Sequence, residues 1–167
     1  MPNRLYVFTF GWSPEFVIRP LLREGLDGSD FVLLLANKPE NEYARKRLEE
    51  AYGEVVSFLR HVGLAHRVER REVNVEGDFM DVCFNVAKIL TEEMDRHEPS
   101  VTKVYLSGGM RVLILATLLA VRLFRLRGGN FEIYASLEDR PVIYSIPAEA
   151  LTVDPAQITD EQFSILR

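Results

Sequence analysis

The sequence predicts a doubly wound α/β domain: a mostly parallel sheet covered by helices on both faces, with a C-terminal antiparallel hairpin. Four short apolar runs, near residues 5, 31, 67 and 101, alternate with helical patterns of ten or more residues, the spacing of parallel strands joined by crossover helices. Two further strand-like runs are separated only by the polar spacer Leu137-Glu-Asp-Arg-Pro141, whose composition suits a turn and not a crossover. With 167 residues and 47% apolar content, the chain can bury one sizeable core, with little left for a second complete domain. Another α/β packing of the same elements is the alternative.

Taken in order, residues 5–10 are apolar and rich in strand formers, and read as a buried strand that stops at Gly11. Ser13 is the expected N-cap of the following helix, Pro14 its first residue, and Phe16, Val17, Leu21 and Leu22 its apolar stripe. Pro20 removes one backbone bond, so a kink or a break is expected there. Residues 31–36 form a second buried strand. Residues 41–59 form an amphipathic helix through Leu48, Tyr52, Val55, Val56 and Leu59. Residues 66–75 alternate weakly, which suits a sheet edge, although the charge-rich stretch 60–76 also fits a hairpin-like edge or a loop. Val82, Val86, Ile89 and Leu90 give a helix over 79–94. A strand over 101–106 then leads through a glycine pair into a helix over 110–125, and strands over 131–136 and 142–146 form the hairpin. In the tail, Thr159 and Gln162 make a capping box ahead of Phe163, Ile165 and Leu166. That short helix either docks on the sheet or opens a second domain.

Several function classes lose support early. A formal net charge of -5 argues against a surface that wraps nucleic acid as a whole. The single cysteine, Cys83, lies in a helical pattern, can form no internal disulfide, and reads as core in a cytoplasmic protein. Residues 1–5 lack a signal-peptide layout, and the apolar run 113–123 is too short to span a bilayer, so no membrane association is expected. His61, His66 and His97 are scattered, which speaks against a zinc site; no metal and no cofactor are expected. Asp78, Asp81, Glu92 and Glu93 read as a solvated helix face, and Arg122, Arg125 and Arg127 as a dipole-compatible cluster that also suits a partner. No histidine near Ser13 supports a Ser-His-Asp mechanism.

In a doubly wound sheet the ligand crevice lies beyond the carboxyl ends of the strands at the topological switch point. Here that pairs the loop after the first strand with the loop after the fourth. The first offers Thr9 and Ser13 hydroxyls, flexible Gly11, and the only tryptophan, Trp12. The second offers Ser107, Gly108, Gly109, Met110 and Arg111, a strand-turn-helix entry whose free N–H groups and guanidinium suit a phosphate or another anion. Trp12 or Phe10 is placed to stack on a base, and Asn37, just past the second strand, to bond a base edge or ribose. A nucleotide is the favoured ligand. The plain alternatives are a glycine pair that serves only as a turn and a Trp12 that packs or meets another subunit. Arg111 at a helix start opposes the dipole and needs a compensating partner, which a bound anion provides. Absence of G-x-G-x-x-G and G-x-x-x-x-G-K-[ST] disfavours ordinary nicotinamide binding and nucleoside triphosphate hydrolysis.

These residues resemble the CARF domain, the CRISPR-associated Rossmann fold, and most closely the N-terminal sensor half of archaeal CRISPR-associated winged-helix transcriptional regulators. The resemblance rests on Phe8-Thr-Phe-Gly-Trp-Ser-Pro-Glu-Phe16, on Leu106-Ser-Gly-Gly-Met-Arg-Val112 and on the closing hairpin, and covers about residues 4–147. It implies a homodimer in which two clefts join across the two-fold axis around one cyclic oligoadenylate, with cyclic tetra-adenylate the expected ring. It implies that Thr9, Gly11, Trp12 and Ser13 form one ligand loop and Ser107 to Arg111 the phosphate-contacting loop. The helix over 110–124 would supply part of the interface, since a symmetric ring suits a symmetric receptor. Residues 1–150 would be the sensor and 151–167 a linker and the start of a truncated winged-helix domain, so DNA would be reached only through the missing portion. Some members of this wider family cleave the ring without metal, and Ser13 and Arg111 are the candidates here. The second loop has no lysine and neither motif a nearby histidine, so sensing without efficient turnover is expected, with slow ring cleavage the alternative.

Overall fold

Burial on both faces makes the central strands near-continuous apolar runs, and that pattern organises the molecule. The computed structural model describes residues 3–125, 130–136 and 142–147, with no account of the side chains of residues 124 and 125. In chain order the elements are β1 (Arg4–Phe10), α1 (Glu15–Glu24), β2 (Phe31–Asn37), α2 (Glu42–His61), a 3-10 turn (Ala65–Arg67), β3 (Val68–Val73), α3 (Phe79–His97), β4 (Val101–Tyr105), α4 (Arg111–Arg125), β5 (Phe131–Ser136) and β6 (Ile143–Ile146). The sheet runs β3-β2-β1-β4-β5-β6. All neighbours are parallel except β5 and β6, which pair antiparallel with Ile133 opposite Ile146. This is the Rossmann-like α/β architecture expected, hairpin included. The hairpin spacer 137–141 and the tail helix around residues 159–166 lie outside the described residues.

Alternation along β1 builds two cores. Tyr6, Phe8 and Phe10 pack with Val17 and Leu21 of α1 and with Leu48, Val55 and Leu59 of α2. Leu5 and Val7 pack with Val86 and Leu90 of α3 and with Leu113, Ala116 and Ala120 of α4. Each fully buried aliphatic or aromatic side chain contributes about 1.5–3 kcal/mol relative to exposure. Phe8, Tyr105 and Tyr134 sit opposite one another on β1, β4 and β5, and their rings stack at 4.7 and 4.8 Å. That ladder of rings holds in register the strand ends that carry the cleft.

Several local readings change. Pro14, not Ser13, is the residue ahead of α1; its carbonyl accepts from the N–H groups of Val17 and Ile18 at 3.0 Å, and no side chain caps the helix. Helix α1 runs unbroken through Pro20, which is buried with Val17 and Leu21 at i, i+3 and i+4. Proline thus fills the stripe position assigned to Leu22, which is 64% exposed. Helix α3 continues past residue 94 to His97, and Glu98 closes it in the left-handed region at φ 43°.

The charge-rich stretch contains a short edge strand, β3, rather than a loop. Its arginines pair with both flanking layers: Arg70 with Glu49 of α2, and Arg71 with Glu92 and Glu93 of α3. Glu93 does not belong to a solvated face. Its side chain is fully buried, 3.2 Å from Arg96 and 3.4 Å from the His97 ring, which stacks on Phe31 at 3.9 Å. Cys83 is buried as expected, and desolvation pushes its thiol pKa up, which leaves it less reactive. Among the described residues no helix is long and apolar enough to cross a membrane.

At the opposite end of the sheet from the cleft, Asp30 is buried ahead of β2. It accepts from the Arg4 guanidinium at 2.5 and 3.0 Å and from the Asp27 N–H at 2.8 Å. Asp30→Ala strips these donors of their carboxylate, and a stability loss of about 3 kcal/mol is expected by urea denaturation. A change below about 1 kcal/mol would show that the β1–β2 junction does not depend on the pair.

Candidate functional site

Parallel pairing sends the chain out of β1, β2 and β4 at the same edge of the sheet, and β1 next to β4 sets their following loops side by side. One buried hydroxyl and a close main-chain approach join the two loops. The Thr9 hydroxyl is buried and accepts from the N–H groups of Ser107 at 3.1 Å and Gly108 at 3.3 Å, while donating to the Tyr105 carbonyl at 3.4 Å. Immediately beyond, the chains cross with no room for side chains. A Cβ on Gly11 would lie 2.8 Å from the Gly109 nitrogen, and one on Gly108 would lie 2.9 Å from the Thr9 carbonyl oxygen. Gly109 also holds φ at +82°, which any other residue would adopt under strain. The glycine pair is therefore more than a turn: it permits the contact that brings both loops into one site.

The crossing floors a cleft of about 760 Å³. One wall is the start of α4, with Ser107, Gly108, Gly109, Met110, Arg111 and Ile114. A bond from the Ile114 N–H to the Met110 carbonyl at 3.1 Å sets the helix start, so the N–H groups of Arg111 to Leu113 have no intrahelical acceptor. The second wall is the α1 entry, with Gly11, Trp12, Ser13, Glu15 and Phe16; the third is the β2–α2 junction, with Asn37, Glu40 and Asn41. Asn41 caps α2, its side-chain oxygen accepting from the Ala44 N–H at 2.9 Å. Three helix N-termini thus open on one space, each with the positive end of its dipole inward. Arg111 is exposed, and among the described residues it has no ion pair or hydrogen bond, so its charge is available to the cleft.

Most of the site residues expected from the sequence meet here, with two corrections. Gly11, Trp12, Ser13, Asn37 and the whole segment Ser107 to Arg111 line the cleft. Thr9 does not; it is 1% exposed and acts as the latch between the loops. Phe10 does not either, because strand alternation puts it with Tyr6 and Phe8 under α1 and α2, at 1% exposure. Of the two aromatic residues in question only Trp12 faces the cleft, at 50% exposure. Ser107 lines the cleft but spends its hydroxyl on Ser136 of β5 at 2.9 Å. The candidate pair Ser13 and Arg111 shares the cleft with no hydrogen bond between the two. Sequence reasoning missed Glu15, Phe16, Glu40, Asn41 and Ile114. The signal available for Glu40 and Asn41 was that the loop after the second strand leaves from the same sheet edge. Among the described residues no group of three or more histidine, cysteine or acidic side chains is placed to hold a metal ion.

Thr9→Val keeps the shape of the side chain and removes the acceptor for two N–H groups. A stability loss of about 2 kcal/mol is expected in chemical denaturation, with Thr9→Ser close to the parent. If Thr9→Val unfolds at the parent's midpoint, the hydroxyl does not hold the loops together.

The chain matches the family model described as "Csa3 CRISPR-associated Rossmann-like domain" over residues 4–147. Among solved structures it is similar to protein VC1899 from Vibrio cholerae, at TM-score 0.65 and 12% identity, covering 87% of this chain and 34% of that one. It is also similar to Enterococcus italicus Csm6 bound to cyclic hexa-2'-fluoro-hexa-dAMP, at TM-score 0.66 and 9% identity, covering 91% of this chain and 43% of that one. At those identities the two likenesses bear on the fold alone, and the chain spans less than half of either protein. No curated protein matches. The family match, which takes in both cleft loops and the closing hairpin, shows that the chain belongs to the Csa3 CRISPR-associated Rossmann-like domains.

Proposed function

We propose that this domain is a sensor for a cyclic oligoadenylate, with cyclic tetra-adenylate the preferred ring, in a CRISPR-associated transcriptional regulator. The observation that carries the reading is Arg111 at the start of α4, without an ion pair among the described residues, in a cleft that also receives the N-termini of α1 and α2 and the exposed ring of Trp12. Phosphate is matched by the guanidinium and the free N–H groups, and a base is matched by the indole. Family membership supplies the CRISPR setting. A relative of the same fold, Csm6, was solved bound to a cyclic hexanucleotide analogue, which supports a ring as the ligand class.

A ring with rotational symmetry is best met by two copies of one cleft, so the working unit in this reading is a two-fold homodimer. Helix α4 suits that contact. It exposes Leu115 and Leu123, at 56% and 44%, along a helix that starts at the cleft, and Met110 stands at its entrance. Dimerisation through α4 would cover these side chains and set two Arg111 residues about one axis. Residues 151–167 are read as a linker and the opening of a DNA-binding domain, which the sensor would control.

Slow, metal-independent ring cleavage is the second reading, and one observation favours it: Ser13, Glu15 and Arg111 line the same space. In such a step a ribose 2′-oxygen attacks the adjacent phosphorus, the 5′-oxygen leaves, and a carboxylate such as Glu15 takes the 2′-hydroxyl proton. Among the described residues no histidine or lysine lines the cleft to protonate the leaving oxygen, so sensing outranks turnover.

Titration calorimetry is expected to show one cyclic tetra-adenylate per dimer, with linear tetra-adenylate binding far more weakly; absence of ring binding to dimeric protein would sink the sensor reading. Arg111→Ala should weaken binding by about 2–5 kcal/mol if phosphate is held there, and equal affinity would remove Arg111 from the site. Leu115→Glu should shift the protein to monomer in sedimentation and abolish ring binding with it; a stable dimer would place the interface elsewhere. Ring incubated for hours with protein and chelator is expected to stay intact, and cleavage lost on Ser13→Ala would favour the nuclease reading instead.

A further inference from the structure

Ser107 stands between the cleft and the C-terminal hairpin. It lines the cleft, yet its side chain is committed to β5, where its hydroxyl donates to the Ser136 hydroxyl at 2.9 Å. The main chain at this point is pinned: the Ser107 N–H is held by the Thr9 hydroxyl at 3.1 Å, and the preceding Leu106 N–H by the Tyr134 carbonyl at 2.8 Å. Rotation about the Cα–Cβ bond therefore re-aims the hydroxyl among its staggered positions and leaves the loop where it is. A hydroxyl carries one proton, so it serves one strong acceptor at a time.

An anion entering the cleft sets up a competition for that proton. Ser136 offers a neutral hydroxyl oxygen, whereas an anion beside Arg111 and the free N–H groups of α4 offers charged ones, and a charge-assisted hydrogen bond is about twice as strong as a neutral one. The other end of the bond lies at a weak point of the sheet. Ser136 is the last residue of β5 and pairs with Ile143, the first of β6, at the turn end of the hairpin. β6 has four residues and a neighbour on one side only, because it ends the sheet. Short edge elements with few neighbours sit at the low end of local stability, so the loss of one tether is felt in β6 before it is felt in β1 or β4.

We infer that Ser107 and Ser136 form a ligand-operated latch: with the cleft empty the Ser107 hydroxyl ties the hairpin to the loop ahead of α4, and an anion in the cleft takes that hydroxyl and releases Ser136 and β6. Ser136 is the positioning residue of this device, since it reaches the ligand only through Ser107. The latch rests on the sensor reading and adds to it a route from the cleft to the chain that follows β6. It also carries a sign. Ligand and latch oppose each other, and by linkage each weakens the other by the same factor.

Ser136→Ala removes the competing acceptor from a residue that is not among those lining the cleft. By calorimetry it should bind cyclic tetra-adenylate about threefold to tenfold more tightly than the parent, the factor expected for one net hydrogen bond, and Ser136→Thr, which keeps the acceptor, should restore parental affinity. In the parent, saturating ring is expected to speed amide hydrogen exchange in β6 by about threefold or more, read by NMR; in Ser136→Ala that exchange should be fast without ring and change little with it. A bond that serves structure alone gives the opposite pattern. Parental or weaker affinity in Ser136→Ala, or β6 exchange that ring leaves unchanged or slows in the parent, overturns the latch and leaves the sensor reading standing. Failure of the dimeric parent protein to bind any ring overturns both.

Discussion

Everything at this cleft depends on two stretches of main chain passing within contact distance. Gly11 and the Gly108–Gly109 pair leave no Cβ at the crossing, and Thr9 converts the proximity into two hydrogen bonds. A side chain at any of the three glycines would push the loops apart, and the shift would propagate to Trp12 on one side and Arg111 on the other. The contact is buried, so the Thr9 bonds escape competition from water, and leaving those N–H groups unpaired would carry a desolvation cost of about 1–3 kcal/mol each. Ser107 extends the same bracing to β5 through Ser136. Strand registry between β1 and β4, reinforced by the stacked rings of Phe8, Tyr105 and Tyr134, puts the crossing where it is.

Around that rigid floor the charges are divided rather than uniform. The chain is acidic overall, and the cleft is not a basic patch: it has Arg111 on one wall and Glu15 and Glu40 on the others. An anion in the cleft would be met chiefly by local direction, meaning helix N-termini and one guanidinium with no competing partner among the described residues. Such an arrangement suits one locally held anionic group rather than a polyanion that would run along the whole surface. Three other arginines are committed elsewhere, Arg4 to Asp30 and Arg70 and Arg71 to the carboxylates that flank the edge strand β3. Part of the charge that looks abundant in the sequence is thus committed to joining layers.

The parts of the fold that could be read from the sequence are those governed by short-range periodicity. Apolar runs such as residues 5–10 and 31–36 announce buried strands, and helical periods between them announce crossovers, because burial demands those spacings whatever the neighbours are. The site was legible to the same depth: a strand ending in Gly108-Gly109 before a helix implies free N–H groups, and the switch-point rule pairs it with the loop at Gly11. Boundaries were less legible. Pro14 replaced Ser13 at the start of α1, and Glu93 proved buried, because each depends on which face a neighbouring element covers.

By itself the sequence determined the order of elements, the parallel sheet with its closing hairpin, the two loops and the residue types that make them fit for an anion and a base. Only the tertiary structure decided which of those side chains face the cleft. Phe10 and Thr9 sit beside Trp12 in the chain yet point into the core and into the loop crossing, since strand alternation and the cover of α1 and α2 leave them no path outward. Glu40 and Asn41 reached the site from a third loop and helix, through the parallel pairing of β2 with β1. Such long-range placement leaves no periodic trace in the sequence, because it is set by packing between elements rather than within them.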